Sequence, residues 1–321
     1  MSDAGAAAVQ HDSSTVAAGG GSLELSWAAA THEGLVRESN QDAFRTSSGV
    51  FLVCDGMGGH RGGERASRAA ADIVLRAWDA DAPPDVQSVV DSVGLANTEL
   101  LREADGDSSL AGMGTTLVGL GVVLQGGRPM LLAVNVGDSR LYVRASGTVR
   151  QVSHDHSVVQ ELIDAGQITP EESRTHVERH VVTRVLGSDP WPEPDVWLLA
   201  PTPGTRYLLC TDGVHGELTA DDLTAALAQP QPSDAVASLV AAALTAGGRD
   251  NLTAVVVDVG EVLLGNLEPP DDDTTPRSEL PEVSSNGMPD EDVVESVPGF
   301  ARESAEPVVE PEPLIEEVPG A

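Results

Sequence analysis

The sequence predicts a fold that mixes α-helices with β-strands, many of which have antiparallel neighbours. Two apolar runs, residues 50–54 and 207–210, are each followed closely by Asp-Gly, as is typical of buried strands that end in tight turns. Three further apolar runs lie close together between residues 117 and 143, which predicts an antiparallel meander. Residues 64–78 carry apolar side chains at helical spacing, which predicts an amphipathic helix.

Apolar runs, alternation of apolar and polar residues, and helical spacing of apolar residues predict the other elements in chain order. Apolar and polar residues alternate over residues 23–31, which predicts a first strand. Residues 34–42 are predicted to form a polar loop. After the helix over 64–78, residues 85–103 predict a second helix. The remaining predicted strands cover residues 117–124, 129–136, 141–143, 196–199, 205–210 and 252–259, and the remaining predicted helices cover residues 158–165, 170–178, 220–228 and 233–246.

The apolar pattern divides the chain into three parts. Residues 1–22, rich in Ala, Gly and Ser, are expected to be disordered. Residues 23–262 are expected to fold. Residues 263–321 are rich in Pro, Asp, Glu and Ser and are expected to form a disordered acidic tail, because they cannot bury enough apolar surface to offset the entropy of ordering.

The charge of the chain is strongly negative. The formal net charge is −33, which argues against nucleic-acid binding because there is no basic footprint for phosphates. The last part, residues 261–321, holds 17 acidic and 2 basic residues. No apolar run approaches the ~20 residues that span a bilayer, and no secretory signal is recognised, so we expect a cytoplasmic location. The two cysteines, each ending an apolar strand, are expected to be buried thiols without a disulfide.

Five acidic residues stand beside apolar strands or in polar turns. They are Asp42, Asp55, Asp138, Asp212 and Asp250. Carboxylates that a fold brings together repel one another unless cations neutralise them. Hard oxygen ligands of this kind select Mg²⁺ or Mn²⁺ over zinc. The pattern is therefore that of a divalent-cation site.

Six short motifs that contain these acids occur in a fixed order. They are Arg37-x-x-Asn40-Gln41-Asp42, Asp55-Gly56-Met57-Gly58-Gly59, Gly114-Thr115-Thr116, Gly137-Asp138-Ser139-Arg140, Asp212-Gly213 and Asp250-Asn251. Together they resemble the metal-dependent Ser/Thr protein phosphatases of type 2C, in their bacterial form. The resemblance runs from about residue 26 to about residue 258.

The resemblance implies the fold and the reaction. The fold would be of the α+β class, a four-layer αββα sandwich of two antiparallel sheets flanked by helices, and residues 23–262 would be the catalytic domain. The reaction would be hydrolysis of phosphoserine and phosphothreonine on proteins, with two Mn²⁺ or Mg²⁺ ions and a metal-bridging water as nucleophile. The implied metal ligands are Asp55, the carbonyl of Gly56, Asp212 and Asp250, with Asp42 acting through water.

The resemblance also implies roles around this cluster. Arg37 would bind the substrate phosphate through its planar guanidinium, and would form the catalytic set with Asp55 and Asp212. Asp138 would serve a third, weaker metal site near Asp212, although a hairpin turn also favours Asp for local reasons. Gln41 carries one negative charge fewer than the Glu of some relatives, which would weaken metal binding.

Four other positions have less specific interpretations. Arg140 is predicted to be a structural ion-pair partner. Thr115 is either a strand threonine or a support for the metal ligands. Met57 cannot act as the general acid that eukaryotic relatives place nearby. His60 could act as that acid, but the favoured interpretation is a solvated turn histidine.

The segment over residues 152–187 would be a mobile flap that influences substrate choice, by the same resemblance. It contains four histidines, His154, His156, His176 and His180. Because no cysteine or further ligand motif accompanies them, solvated loop histidines are favoured over a zinc site.

Two alternatives to a general phosphatase remain open from sequence. One is a narrower enzyme acting on a phosphorylated anti-sigma antagonist, which would carry the same motifs. The other is a catalytically weak phosphatase-fold binding module in a kinase signalling pathway, for which Gln41 is the only argument. The family implies phosphorylated proteins, a Ser/Thr protein kinase and its substrates as partners. We expect a monomer, and we expect the tail over 263–321 to modulate substrate access.

Overall fold

Two six-stranded antiparallel sheets form the centre of the computed structural model. The structure describes residues 8–18, 20–78 and 82–263, without the side chains of 59 and 60, together with the backbone of 295–296. The predicted acidic tail and the first seven residues therefore lie outside the described residues.

The strands and helices follow one another along the whole described chain. The strands are β1 (Gln10–Ala18), β2 (Gly21–His32), β3 (Ala43–Ser47), β4 (Val50–Cys54), β5 (Gly56–Met57), β6 (Gly114–Thr115), β7 (Leu117–Gln125), β8 (Arg128–Val136), β9 (Arg140–Ala145), β10 (Thr148–Gln151), β11 (Asp195–Leu199), β12 (Arg206–Cys210), β13 (Leu252–Leu263) and β14 (Glu295–Ser296). The helices are α1 (Gly59–Trp78), α2 (Val86–Gly106), α3 (Val158–Asp164), α4 (Pro170–Ser173), α5 (Asp212–His215), α6 (Ala220–Leu227) and α7 (Pro232–Ala246), with a 3₁₀ turn at Ser108–Leu110.

The layers form the αββα sandwich that the family resemblance implies. The first sheet has the order β1-β2-β13-β12-β9-β10, and the second has the order β14-β11-β8-β7-β4-β3. Helices α1 and α2 pack on the outer face of the second sheet, and α6 and α7 pack on the outer face of the first. The expected fold class is confirmed.

The continuous apolar runs are explained by burial on both faces of a strand. In β4, Phe51 and Val53 point between the sheets, whereas Leu52 and Cys54 point toward the helices. Phe51 meets Trp27 of the opposite sheet edge to face, with ring centroids 5.3 Å apart. Covering both faces is what turns the usual alternating pattern into an unbroken apolar run.

Strand register places the first two acids at one end of the sandwich. Ala43 at the start of β3 pairs with Cys54 at the end of β4. Asp42 and Asp55, the residues just outside this pair, therefore lie beside each other.

The neighbouring strands of the first sheet bring the other acids to the same end. Cys210 at the end of β12 pairs with Arg140 on one side and with Ala254 on the other. Asp138 and Asp250 lie in the connections next to these residues and Asp212 begins α5, so all five acids gather at one edge of the sandwich.

Two expectations about the strands are wrong. Residues 10–18 are not disordered: β1 pairs with β2 over its whole length, and Val16 and Ala18 reach the core between the sheets. Its small and polar residues give little strand signal, and the long partner strand supplies the pairing. The apolar run over residues 141–143 is not the third strand of the predicted meander, because it belongs to β9, which lies in the other sheet.

The same crossover corrects the placement of Asp138. The chain passes from one sheet to the other through residues 137–139, so Asp138 lies in a crossover and not in a hairpin turn. Gly137 adopts a φ of +106°, a conformation that a residue with a Cβ rarely adopts. In the flap, the second helix is also shorter than predicted, since α4 ends at Ser173.

Candidate metal and phosphate site

The turn after β4 is held by the Gly-Thr-Thr motif on the neighbouring strand. The backbone N–H of Asp55 donates to Thr116 Oγ1 at 2.9 Å, and its carbonyl accepts from Thr115 Oγ1 at 2.8 Å. A Cβ on Gly56 would overlap the carbonyl of Gly63 in α1. The backbone N–H and carbonyl of Asp55 are therefore both held by threonine hydroxyl groups, and Thr115 makes one of these contacts directly.

Asp42 is buried and only half satisfied. Its Oδ2 accepts hydrogen bonds from Thr211 Oγ1 at 2.9 Å and from Thr253 Oγ1 at 2.7 Å. Its Oδ1 is buried without a hydrogen-bond partner. Burial, together with the charges of Asp212 and Asp250, raises the pKa of Asp42 to about 7.

Asp138 is also buried beside the other acids. Burial, followed by the charge of Asp212, raises the pKa of Asp138 to about 7. His215 in α5 donates from Nε2 to the carbonyl of Asp138 at 3.0 Å. Burial lowers the pKa of His215 to about 4, so this histidine is neutral at pH 7 and adds no cation to the cluster.

Asp212 and Asp250 each contact a basic side chain. Asp250 Oδ2 lies 2.7 Å from Nη2 of Arg37, and Asp212 Oδ2 lies 3.7 Å from Nδ1 of His180. Burial opposes ionisation of Asp212, but the hydrogen bond and the charge of His180 lower the pKa of Asp212 below the ordinary value. The other oxygen of Asp212, Oδ1, is buried without a hydrogen-bond partner.

Asp55 shows how strongly the acids act on one another. Burial raises the pKa of Asp55 well above its ordinary value, and the charges of the four other acids raise it further. Such mutual repulsion in a partly buried site is relieved by cations. The structure thus brings together all five acids that the sequence predicted.

The donor set fits hard divalent cations. Two of its oxygens, Oδ1 of Asp42 and Oδ1 of Asp212, are buried and unsatisfied, and such atoms are costly unless a ligand completes them. Among the residues that the structure describes, no three His, Cys, Asp or Glu side chains are already arranged as ligands of one ion. The fit therefore rests on the chemistry of the donors and on their uncompensated charge.

Asn251 ties the loop that carries Arg37 to β13. Its Nδ2 donates to the carbonyls of Glu33 and Ser39, both at 2.9 Å, and its Oδ1 accepts from the N–H of Gln41 at 2.9 Å. The sequence marked Asn251 as part of a motif but gave it no role. Its position directly after Asp250 was the available signal.

The flap histidines do not share one environment. His154 is half exposed and contacts Asp164, as expected for a loop histidine. His156 differs from the prediction, because it is buried and its Nδ1 accepts from the N–H of Gly137 at 3.0 Å. His180 reaches Asp212, a tertiary contact for which the local sequence gave no signal. The side chain of His60 lies outside the described residues.

Arg140 has the structural partner that the sequence predicted. It forms a bidentate ion pair with Asp155, whose side chain is 5% exposed, at distances of 2.6–3.0 Å. The guanidinium also donates to the hydroxyl of Tyr142 at 3.0 Å. Arg140 thereby joins β9 to the start of the flap.

Comparison with known proteins identifies the class to which this fold and acid cluster belong. The family model for protein phosphatase 2C matches residues 31–256. The serine/threonine protein phosphatase PstP of Mycobacterium tuberculosis is 34% identical over 248 residues, which are 77% of this chain and 47% of PstP. The chain belongs to the protein phosphatase 2C family.

Solved structures agree with this assignment. The catalytic domain of PstP in complex with two manganese ions has a TM-score of 0.68 and 34% identity, covering 74% of this chain and 100% of that one. The phosphatase MsPP of Mycobacterium smegmatis, in complex with cacodylate, has a TM-score of 0.66 and 38% identity, covering 73% of this chain and 98% of that one.

The coverage of the relative and the character of the helices complete this description. The match spans about half the length of the M. tuberculosis relative, 47%. In the part of the chain that the structure describes, no helix has the length and apolarity to cross a membrane.

Proposed function

We propose that this protein is a Mn²⁺- or Mg²⁺-dependent phosphatase that hydrolyses phosphoserine and phosphothreonine in protein substrates. The observation that carries the proposal is the gathering of five carboxylates, two with buried unsatisfied oxygens, beside the guanidinium of Arg37. Carboxylate oxygens are the ligands that hard divalent cations prefer, and a guanidinium suits a phosphate group, so these groups support the proposal.

The residues divide into metal and phosphate ligands. Asp55, the carbonyl of Gly56, Asp212 and Asp250 would hold two cations, with Asp42 supporting them through water. Asp138 would serve a third ion near Asp212. When bound, these cations would supply positive charge for the phosphate and would lower the pKa of a water nucleophile toward neutral pH.

The protein's own groups then position the substrate. The side chain of Arg37 is 54% exposed, so its planar guanidinium is free to swing from Asp250 to two phosphate oxygens. There it would neutralise the charge that develops on the equatorial oxygens. The turn that holds Asp55 and the threonines that hold Asp42 keep the carboxylates in place, which limits reorganisation during the reaction.

The relatives support this proposal, since PstP and the Listeria monocytogenes protein stp are named serine/threonine phosphatases. We extend the same role to this chain, with phosphorylated proteins as substrates and a Ser/Thr protein kinase as the opposing enzyme. A monomeric, cytoplasmic enzyme remains our expectation. A catalytically weak binding module is less favoured, because all five acids are present and face one another.

The test is hydrolysis of para-nitrophenyl phosphate and of a phosphothreonine peptide with Mn²⁺, Mg²⁺ or EDTA. We expect turnover of both substrates with Mn²⁺, none in EDTA, and a large loss in Asp212→Asn. The matched control is Asp91→Asn, which changes an exposed acid of α2. Metal-independent turnover would contradict the metal-dependent reaction. No turnover in a folded protein with either metal would contradict the proposal and favour the binding module.

A further inference from the structure

Exposed aliphatic side chains concentrate in the two segments whose basic residues contact the acid cluster. Seven large hydrophobic residues are exposed in the described part of the chain, and four of them lie within three positions of Arg37 or His180. These four, which we call the aliphatic rim, are Leu35, Val36, Val177 and Val181, with exposures of 55%, 67%, 88% and 45%. Single exposed hydrophobic residues are ordinary, but a group of them around a site marks a contact surface.

The rim comes from two segments that approach the acids separately. The loop before β3 brings Arg37 to Asp250, and the turn over residues 177–180 brings His180 to Asp212. The charge of Asp212 also acts on Arg37, and the charge of Asp250 also acts on His180. The two segments therefore flank the position where a phosphate would bind.

Local structure does not explain these side chains. Val177 opens a turn, where a β-branched residue is disfavoured and a small or polar one is usual. Leu35 is in a loop that is fixed to the protein, since its N–H donates to the carbonyl of Gly248 at 2.7 Å. Residues that break local preferences and stay exposed on held loops are typical of functional surfaces.

The charges near the rim indicate which partner it fits. The two segments carry the exposed acids Glu33 and Glu178 and the exposed arginines Arg37 and Arg179, and the whole chain carries a net charge of −33. The net negative charge of the chain would repel an acidic segment, whereas aliphatic side chains would find apolar contacts at the rim.

We propose that the aliphatic rim binds the residues that flank the phosphorylated residue, and that it selects protein segments with aliphatic and not acidic side chains at those positions. This inference rests on the proposed function, because the phosphate must bind at the acid cluster. In an extended segment each residue advances ~3.3 Å, so side chains two or three residues away lie about 7–10 Å from the phosphoresidue. Contacts at that range affect peptides and not small phosphate esters.

The test compares two phosphothreonine peptides of equal length, one with Leu and Val and one with Asp and Ser on both sides of the phosphothreonine. Para-nitrophenyl phosphate serves as the reference substrate. We expect the wild-type protein to prefer the aliphatic peptide in kcat/KM. Val177→Ser and Val36→Ser are each expected to lower kcat/KM for that peptide, relative to the reference substrate, by about 3–10-fold.

The matched control is Leu95→Ser, which removes an exposed leucine (61%) from α2, outside the rim. It should leave the ratio of the two rates unchanged. Equal kcat/KM for both peptides, or equal effects of Val177→Ser and Leu95→Ser, would contradict the proposed role of the aliphatic rim. Neither result would contradict the proposed phosphatase activity. If the wild-type protein hydrolyses no substrate with Mn²⁺, both the proposed function and this inference fail.

Discussion

The guanidinium of Arg37 lies 2.7 Å from a carboxylate oxygen of Asp250, a residue 213 positions away in the sequence. This contact joins the loop before β3 to the turn before β13, and it places the only arginine of the first motif at the edge of the acid cluster. The pair is accessible, with side-chain exposures of 54% and 33%. Its geometry therefore suits substrate binding better than it suits stability.

Arg37→Ala should lower kcat/KM for para-nitrophenyl phosphate by about 10²-fold, the usual loss when one donor to a developing oxyanion is removed. The free energy of unfolding should change by less than about 1 kcal/mol, because exposed ion pairs contribute little. Arg37→Lys should recover only part of the rate, since an ammonium cannot bind two oxygens in one plane. A rate equal to wild type in Arg37→Ala would exclude Arg37 from the phosphate site.

Asp42→Asn should change how stability depends on pH when EDTA is present. Because burial raises the pKa of Asp42 to about 7, the folded state holds a proton that the unfolded state releases near pH 4. The wild-type contribution of Asp42 is therefore full below about pH 4 and is lost as the pH rises to about 7, with a limiting slope of about 1.4 kcal/mol per pH unit. Urea unfolding from pH 4 to pH 8 should show a smaller decline in Asp42→Asn.

The control for this measurement is Asp91→Asn, an exposed acid on α2 that is remote from the cluster. Since both variants remove one carboxyl group, their difference isolates burial from net charge. Identical pH profiles for Asp42→Asn and wild type would show that Asp42 does not titrate differently in the folded state.

Arg140→Met should destabilise the fold by about 3–5 kcal/mol, because it leaves the nearly buried carboxylate of Asp155 without its cation. Adding Asp155→Leu should recover much of this loss, since both charges are then absent. The measurement is urea unfolding of the two single variants and the double variant. A single-variant loss below about 1 kcal/mol would show that the ion pair does not anchor the flap.

The two cysteines should be unreactive in the folded protein. Cys54 and Cys210 are both free and buried, and burial raises the pKa of Cys54 and raises that of Cys210 to about 12. A thiol reagent such as DTNB should modify neither residue under native conditions and both in denaturant, and N-ethylmaleimide should not inhibit turnover. Inhibition by N-ethylmaleimide in the native state would contradict a reaction that uses no cysteine.

Much of the fold follows directly from local sequence. The runs at β4 and β12 are apolar because each is covered on both faces, and the Asp-Gly turns after them need a residue without a Cβ: on Gly213 it would overlap the carbonyl of Asn251. These are properties that neighbouring residues determine. The five acids could therefore be found from motifs and strand ends.

Other features depend on contacts between distant segments, and local patterns do not predict them. The strand β1 exists because β2 is long enough to pair with it, and Asp138 lies in a crossover because β9 joins the other sheet. The partners of Asp42, Thr211 and Thr253, are 169 and 211 positions away. His180 reaches Asp212 only through the path of the flap.

The most direct test of the account is to measure Mn²⁺ binding by isothermal titration calorimetry, in the wild-type protein and in Asp212→Asn. Asp212 combines a buried, unsatisfied oxygen with a proposed place as a direct ligand, whereas Asp42 is proposed to act through water, so a change at Asp212 should matter most. We predict two tightly bound ions and a weaker third in wild type, and loss of tight binding in a folded Asp212→Asn protein. Absence of Mn²⁺ binding to wild type, or identical binding in the variant, would contradict the assignment of the five acids as a metal centre.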